Sequence, residues 1–492
     1  MASNAPLPPG RLPLAADQAA RHDSTEKPRS YIRYEIVDFN GKALSKTVPA
    51  RHRDKAVYMY SGALAMGANS EVLVFPEEVA SAGCPNIRMV PDWSTEQVLP
   101  WAARPGVEVR RVYCEQAWAD GRKQEALPRT VCARLLKELH AFGGRGLELF
   151  AGGELEFTVA EKSSEGKWSP LFQGVDIFAT LQNSKMEDYF YELEACMEPV
   201  GVDILTYNAE YGAGQLEVTF APKLGLEAAD AACTFREGAK ELAQRRGVRA
   251  SFCSKPFGTT GVGNGGHFNF SLWAPGDPGD DPAGPLPDRA PGGAGPSPPR
   301  LRSALHSASD PGGLSETARH FLAGVLAHAP AMEALCAPTP CCYTRHGNWA
   351  PTVANWAPDD RSACVRVKAD PKGDEGSCYM ELRLPSASAS AHLVMAAVVA
   401  AGLDGLSRQL PLPPAGQTKE DGAAVLPTCL EDALAALEAD AYMVERLGPA
   451  LVRWYGLVKR GELAWLEARR ERDGDGPEEL SAAWQDMYME FV

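Results

Sequence analysis

The sequence predicts an α+β fold in which a small sheet-rich domain precedes a larger domain of strands and helices. From about residue 29 to 125, apolar and polar residues alternate in short runs, and Ile32, Tyr34 and Ile36 are separated by charged residues. After Pro128 the apolar spacing becomes helical, with further alternating runs between the helices. A chain of 492 residues is long enough for both domains.

The predicted domain boundaries follow changes in composition. Residues 1–28 are rich in Pro, Ala and charge without periodicity, which predicts a disordered arm. Residues 126–492 form the predicted larger domain. From about 274 to 313 the chain is so rich in Pro, Gly, Asp and Ser that a disordered surface insertion is predicted there.

Local signals predict individual elements. The first strand leads into Asn40-Gly41, a pair typical of a hairpin turn. Apolar spacing or a start signal predicts four helical regions: after Pro128, from Leu226 to Arg246, after Ser315, and after the capping box Thr428-x-x-Glu431.

The overall composition excludes several classes of protein. The net charge of -15 argues against a nucleic-acid partner, because such binding needs clustered Lys and Arg. Twelve cysteines without a C-x-x-C pair are typical of reduced thiols in the cytoplasm. We find neither a signal peptide nor an uninterrupted apolar run of about eighteen residues, so no membrane association is predicted.

Five glutamates carry the main functional signal. Glu154 and Glu156 are alternate residues of one predicted strand and therefore share a face. Glu210 and Glu217 flank the start of a second alternating run, and Glu381 lies in a third. Carboxylates that converge from several strands repel each other unless a cation lies between them, and oxygen ligands suit hard divalent metals. The pattern therefore predicts a metal site.

A histidine and a group of arginines accompany the glutamates. His267 follows a glycine-rich segment that contains Gly263 and Gly265, where the backbone can approach a phosphate closely. Four arginines follow: Arg345, Arg361, Arg366 and Arg383. Arginine suits phosphoryl oxygens because its planar fork donates paired hydrogen bonds, so the set is typical of phosphoryl transfer.

The order of these motifs resembles that of the glutamine synthetase superfamily from about Tyr31 to the end of the chain. Seven segments carry the resemblance: Glu154-x-Glu156, Glu210-x-Gly-Ala-Gly-Gln-x-Glu217, Gly263-x-Gly265-x-His267, Trp349-Ala-Pro351, Asp360-Arg361-Ser362-Ala363-Cys364-Val365-Arg366, Glu381-x-Arg383-Leu-Pro and Ala401-Gly-Leu-Asp-Gly405. The resemblance implies a small β-grasp N-terminal domain and a large catalytic domain with a curved antiparallel sheet.

The resemblance also implies two sites for Mg²⁺ or Mn²⁺. The ion near the acid substrate would be held by Glu156, Glu210 and Glu217. The ion that binds the nucleotide phosphates would be held by the other three ligands: Glu154, His267 and Glu381.

Further roles are implied for residues around the metals. Arg345, Arg383 and Glu217 match catalytic residues of the superfamily. The residues that match its ATP- and phosphate-binding positions are Arg361, Arg366, Gly263, Gly265 and His267. Gly265 and Trp349 match positions that contact the substrates.

The implied reaction is ATP-dependent amide formation. The side-chain carboxylate of glutamate attacks the γ-phosphate of ATP, and ammonia or an organic amine then displaces phosphate from the acyl phosphate. The superfamily also implies a homo-oligomer, either a hexamer or a stacked double ring. Within the superfamily, the chain resembles lengsin, the relative of glutamine synthetase in the vertebrate lens. That resemblance implies an alternative: a non-catalytic structural or chaperone-like ring protein with intermediate filaments as partners.

Several positions depart from the superfamily pattern and keep both alternatives open. Val262 and Asn269 replace a side-chain amide and a second histidine near His267, and Tyr379 replaces an arginine. Trp349 stands where ammonia-using enzymes carry a glutamate, and Trp-Ala-Pro is instead similar to enzymes that use organic amines. The first-domain segment Gly62-Ala-Leu-Ala-Met-Gly-Ala-Asn69 offers no acid to deprotonate ammonium. Taken singly, each glutamate or arginine is more often a solvated surface residue.

Overall fold

The computed structural model describes residues 28–173, 177–258, 261–276, 301–369 and 378–492. The predicted N-terminal arm therefore lies outside the described residues except for its last position. Most of the predicted insertion, residues 277–300, also lies outside them. The described edges of that insertion differ from the prediction, because Leu301–Ser303 forms a strand that pairs with Trp273–Pro275. Two apolar residues after this strand, Leu305 and Leu314, are buried and anchor the chain.

Six strands of the described chain form the first, mixed sheet. They are β1 (Arg29–Val37), β2 (Ala43–Pro49), β3 (Val57–Tyr60), β4 (Asn86–Pro91), β5 (Gln97–Val98) and β6 (Val107–Ala117). β1 pairs antiparallel with β2 and parallel with β6. Ile32, Tyr34 and Ile36 are all buried, as their alternation predicts. The β1–β2 hairpin turns at Gly41, whose φ of 69° favours glycine, so the Asn-Gly prediction is confirmed.

Eleven described strands form the second, curved sheet around the long strand β7. They are β7 (Glu148–Lys162), β8 (Trp168–Pro170), β9 (Ile204–Ala209), β10 (Gln215–Phe220), β11 (Lys223–Leu224), β12 (Arg249–Ser251), β13 (Gly266–Pro275), β14 (Leu301–Ser303), β15 (Trp356–Pro358), β16 (Val365–Lys368) and β17 (Tyr379–Leu382). Among the described strands of this second sheet, only β15 and β16 pair in parallel. The order β17-β13-β7-β10 brings the acidic strands side by side.

Helices cover the second sheet. They are α1 (Glu77–Ala80), α2 (Pro128–Ala141), α3 (Thr180–Asn183), α4 (Glu187–Met197), α5 (Leu226–Arg245), α6 (Glu316–Ala327), α7 (Ala329–Cys336), α8 (Ala391–Arg408), α9 (Leu430–Ala439), α10 (Ala441–Leu447), α11 (Pro449–Asp473) and α12 (Pro477–Tyr488). The predicted starts of α2, α5 and α6 are confirmed, and the Ser315 hydroxyl caps α6 by accepting a hydrogen bond from the Ala318 N–H at 3.0 Å.

Two sequence predictions about helices need correction. The capping box Thr428-x-x-Glu431 is wrong by one residue, because Cys429 caps α9 and its Sγ accepts from the Asp432 N–H. The prediction that no segment could span a membrane also overlooked α8, which is long and apolar enough to do so. In the structure 83% of α8 is buried, and it packs against α2 and α6 as a core helix.

A fully buried ion pair joins the first domain to the C-terminal helices. Lys459 Nζ and Glu462 Oε2 on α11 lie 3.0 Å apart, and both side chains are 0% exposed. Glu462 Oε1 accepts hydrogen bonds from Asn40 Nδ2 at 2.9 Å and from the Ala68 N–H at 2.8 Å. A charge removed from water is tolerated only when its partners are supplied, so the hairpin, the segment after β3 and α11 must fold together.

Removing one partner tests this coupling. In Glu462→Ala the Lys459 ammonium remains buried without its carboxylate, which costs about 3–5 kcal/mol. We expect a clearly lower midpoint of urea unfolding. The matched control is Glu467→Ala on the exposed face of the same helix. It should leave the free energy of unfolding within about 0.5 kcal/mol of the wild-type value. Equal midpoints for the two variants would contradict the coupling.

Candidate functional site

One tight cluster of possible metal ligands lies at the centre of the second sheet. One ligand atom each from Glu154, His267 and Glu381 lies within 4.8 Å of the others. His267 Nδ1 is 3.0 Å from Glu154 Oε1 and 3.5 Å from Glu381 Oε1. His267 is 6% exposed and Glu381 2%, so these are not solvated surface residues. The three residues are the predicted ligands of one metal.

Strand register produces this convergence. In the antiparallel pairing of β13 with β7, His267 lies directly opposite Glu154. In the pairing of β13 with β17, Glu381 lies opposite Asn269, two residues along from His267 and therefore on the same face. A shift of one residue in either pairing would move a ligand to the opposite face of the sheet.

Two arginines bind the outer side of Glu381. Arg366 Nη1 donates to Glu381 Oε2 at 3.0 Å, and Arg383 Nη1 donates to Glu381 Oε1. Both guanidinium groups are mostly buried, with 7% and 4% of the residue exposed. Because their fork-like donors remain charged at any physiological pH, they supply fixed positive charge next to the predicted nucleotide metal.

The remaining glutamates form a second, looser group beside the first. Glu156 and Glu217 lie opposite each other in the pairing of β7 with β10, and Glu210 precedes β10. Burial and the charges of Glu154, Glu156 and Glu210 raise the pKa of Glu217 to about 9. Burial and the charge of Glu156 raise the pKa of Glu210 to about 7. Mutual repulsion is therefore strong at this position.

Glu154 shows the opposite effect. Burial acts to raise its pKa, but the hydrogen bond and the positive charge of His267 outweigh burial and lower the pKa to about 2. The pKa values of Glu154 and Glu217, on neighbouring strands, thus lie on opposite sides of neutrality: Glu154 accepts hydrogen bonds, whereas Glu217 is buried among other carboxylates.

Arg345 and the glycine segment close one side of the site. Arg345 is 4% exposed, and Nη1 donates to the Pro385 carbonyl at 3.4 Å. The Gly265 N–H donates to Glu156 Oε2 at 3.0 Å. A Cβ on Gly265 would lie only 3.0 Å from both the Arg345 Nη2 and the Glu156 Oε1 atoms, so a side chain here would have to displace one of these two groups. A Cβ on Gly263 would lie 2.7 Å from the Ser254 carbonyl oxygen.

Aromatic side chains line the open mouth of the same cavity, whose volume is about 370 Å³. Phe178, Tyr211 and Trp349 are 65%, 38% and 59% exposed. Phe178 and Trp349 also have positive φ values of 61° and 63°, which L side chains rarely adopt. Backbone strain of this kind concentrates at functional sites. The cavity wall also includes Arg361 and Arg383.

The structure thus brings the predicted residues together around one cavity. The predicted residues that line the cavity are Glu154, Glu156, Glu210, Glu217, Gly263, His267, Arg345, Trp349, Arg361 and Arg383. Gly265 and Glu381 form hydrogen bonds with the lining residues Glu156 and Arg383, and Arg366 donates to Glu381. The roles assigned to them individually remain predictions.

Sequence reasoning gave no separate role to several residues that the structure brings to the site. Gln215 Nε2 donates to Glu156 Oε2 at 2.6 Å and so orients that carboxylate. It stands two residues before Glu217 on the same strand, so alternation was the signal that could have found it. Phe178 lies before a short helix with no motif around it, and only the folded chain places it at the cavity.

The donor set fits divalent metals. Carboxylate oxygens with one imidazole suit Mg²⁺ or Mn²⁺ better than soft ions that need thiolates. The raised pKa values of Glu210 and Glu217 are also those expected where carboxylates are gathered for a cation. The triad would hold one ion, and Glu156, Glu210 and Glu217 surround the position of a second.

Comparisons with known proteins point to one family. The family profile for the glutamine synthetase catalytic domain matches residues 125–279 and 300–473. Lengsin of Homo sapiens is 30% identical over 458 residues, covering 90% of this chain and 82% of that protein. The glutamate–methylamine ligase of Methyloversatilis universalis is 31% identical over 467 residues, covering 89% and 93%. A gamma-glutamylpolyamine synthetase of Streptomyces coelicolor is 28% identical and covers 92% of each chain.

Solved structures match along nearly the whole chain. A structure described as a novel glutamine synthase homolog has a TM-score of 0.75, with 24% identity, and covers 95% of this chain and 100% of that chain. Ligand-free GmaS has a TM-score of 0.71 with 25% identity and covers 91% and 97%. The predicted α+β architecture with a curved antiparallel sheet is confirmed.

The raised pKa values predict how metal binding depends on pH. In the ion-free protein Glu217 and Glu210 take up protons on folding, so between about pH 5 and pH 9 their contribution lowers stability as pH rises. A divalent ion removes this penalty by replacing the protons. We therefore expect Mg²⁺ or Mn²⁺ to raise the melting temperature more at pH 8 than at pH 6.

The control for this measurement is Glu217→Gln, which keeps the shape but removes one titrating carboxylate. Its metal-induced shift should be smaller and should depend less on pH. A metal-induced shift in the wild type that is the same at both pH values would contradict the interpretation.

Proposed function

The chain belongs to the glutamine synthetase family, and from that membership we propose that it is an ATP-dependent ligase that joins the side-chain carboxylate of glutamate to an organic amine. One observation carries the proposal: two groups of carboxylates and four arginines meet at a single cavity, which is the arrangement that phosphoryl transfer from ATP needs. Ammonia is tested as an alternative nitrogen donor in the assay below.

Each group of residues has a part in the proposed reaction. Divalent metal ions, when bound, neutralise the phosphates and the attacking carboxylate. Arg361, Arg366 and Arg383 bind the transferring phosphoryl group and stabilise the charge that develops on it. Arg345 and the Gly265 segment orient the glutamate. The side-chain carboxylate of glutamate becomes an acyl phosphate by taking the γ-phosphoryl group of ATP, and the amine then displaces phosphate from it.

The aromatic mouth of the cavity supports an organic amine. Trp349 occupies the position where ammonia-using relatives carry a glutamate. Together with Phe178 and Tyr211, it presents an exposed aromatic surface at the mouth of the cavity that holds the glutamates. Aromatic faces attract alkylammonium ions through cation–π interactions and also cover their alkyl parts. The methylamine and polyamine ligases among its relatives bear names that agree with this substrate class.

We also propose that the active form is a cytoplasmic ring-shaped homo-oligomer, a hexamer or a stacked double ring. The support is family membership. The proposed partners are glutamate and an amine.

A second candidate is a non-catalytic ring protein of the lengsin type, with intermediate filaments as partners. Similarity to lengsin over 90% of the chain favours it, as do Val262, Asn269 and Tyr379, which depart from the catalytic pattern. The retained metal ligands favour the ligase, because a protein without turnover has no need to bury several repelling carboxylates.

Phosphate release from ATP separates the two candidates. The wild-type protein is incubated with Mg²⁺, ATP, glutamate and each member of a panel that contains ammonia, methylamine, ethanolamine and a polyamine. We expect at least one organic amine to release phosphate at ten or more times the rate of Glu210→Ala, since removing one metal ligand typically costs that much or more.

Mass spectrometry of the product completes this test by detecting the amide. Wild-type release no faster than that of Glu210→Ala with every amine would eliminate the ligase proposal. Ammonia as the only productive donor would eliminate the organic-amine assignment and leave glutamine synthesis.

A further inference from the structure

Asp359 is an exposed residue with an unfavourable backbone conformation at the edge of the site. Its φ is 47°, in the left-handed region that L side chains rarely adopt, and its side chain is 71% exposed. It directly follows β15, and its N–H donates to the Val367 carbonyl on β16 at 3.0 Å. Strain at an exposed turn persists only where other interactions hold it.

The interaction that holds it is with Arg366. Asp359 Oδ1 accepts hydrogen bonds from Arg366 Nε at 2.9 Å and from Arg366 Nη2 at 2.5 Å. Lys368 Nζ lies 3.7 Å from the same oxygen. Arg366 itself is 7% exposed and reaches Glu381 with its other terminal nitrogen. A continuous chain of contacts therefore runs from Asp359 through Arg366 to the metal-ligand cluster.

This contact fixes the plane of the Arg366 guanidinium. Of the five N–H bonds of an arginine, three are used by Asp359 and Glu381 within the described part of the chain. Of the two remaining N–H bonds, one is on Nη1 and the other on Nη2. Two N–H bonds on the two terminal nitrogens can donate to two phosphate oxygens at once. Without Asp359 the guanidinium could rotate and bind Glu381 with both ends.

Ordinary surface ion pairs have little effect, and the Asp359 pair differs from them in three respects. The arginine is almost fully buried, the carboxylate binds two of its nitrogens, and the backbone of Asp359 is strained in order to do so. The next residue provides a contrast: the Asp360 carboxylate accepts hydrogen bonds from the N–H and the hydroxyl of Ser362 within its own turn.

We propose that Asp359 is a positioning residue that orients Arg366 so that its two remaining N–H bonds face a nucleotide phosphate. This inference rests on the proposed function in one respect, that the phosphates of ATP reach Arg366. Asp359 itself contacts neither the substrate nor the metal. Its removal should therefore weaken nucleotide binding while leaving the glutamate side of the cavity intact.

Two substitutions test the proposal. Asp359→Gly removes the carboxylate and tolerates the positive φ, so the chain should still fold. Asp359→Asn keeps the size and also tolerates this φ, but replaces the charged acceptor with a neutral one. The control is Asp421→Asn, an exposed aspartate that accepts hydrogen bonds from Thr418 in another turn.

The probe is β,γ-imido-ATP with Mg²⁺, whose binding to the full-length protein is measured by calorimetry beside the melting temperature. We expect about tenfold weaker binding for Asp359→Gly, a smaller loss for Asp359→Asn and no change for Asp421→Asn, because charge-assisted hydrogen bonds are about twice as strong as neutral ones. In the turnover assay the KM for ATP should rise more than kcat falls, and the KM for glutamate should not change.

The inference is overturned if both Asp359 variants bind the analogue within twofold of the wild type. It is also overturned if their melting temperatures fall and all ligands weaken together, since that is the result of a merely structural role, or if the wild type does not bind the analogue. A wild type that binds the analogue but releases no phosphate with any amine refutes the ligase proposal alone, and the binding comparison then still decides the role of Asp359.

Discussion

Repulsion between buried carboxylates is the constraint on which this structure depends. Glu154, Glu156, Glu210 and Glu217 line one cavity, and the raised pKa values of the last two report the energetic cost of gathering them. His267 and the arginines on Glu381 offset this repulsion on one side of the cavity only. On the other side Arg345 lies near Glu156, yet the pKa values of Glu210 and Glu217 remain raised, and this is where a metal ion would lower the energy most.

The fold keeps the repelling groups in place through elements that cannot move independently. Strand β7 lies between β13 and β10, so the register of two antiparallel pairs determines which carboxylates face each other. The buried Lys459–Glu462 pair connects the first domain to the C-terminal helix that supports this sheet. Phe178 and Trp349, at the mouth of the cavity, and Asp359, beside Arg366, also have positive φ values.

The sequence predicted the ligand-bearing strands because period-two alternation and motif order are local properties. It also predicted the fold, since seven ordered segments resemble one superfamily. It could not predict the roles of Phe178 and Asp359, because neither belongs to a periodic pattern and their importance arises from tertiary contacts. The cap of α9 was displaced by one residue because a cysteine sulfur, an unusual acceptor, replaced the predicted threonine. Helix α8 is apolar enough to span a membrane, but 83% of it is buried in the core.

Anomalous scattering from crystals grown with Mn²⁺ gives the most direct test of the central claim. We expect two peaks inside the cavity, one bound by Glu154, His267 and Glu381 and the other among Glu156, Glu210 and Glu217, with metal–oxygen distances of about 2.0–2.2 Å. Crystals at saturating Mn²⁺ that show no peak in this cavity, with the carboxylates turned towards bulk solvent, would contradict it.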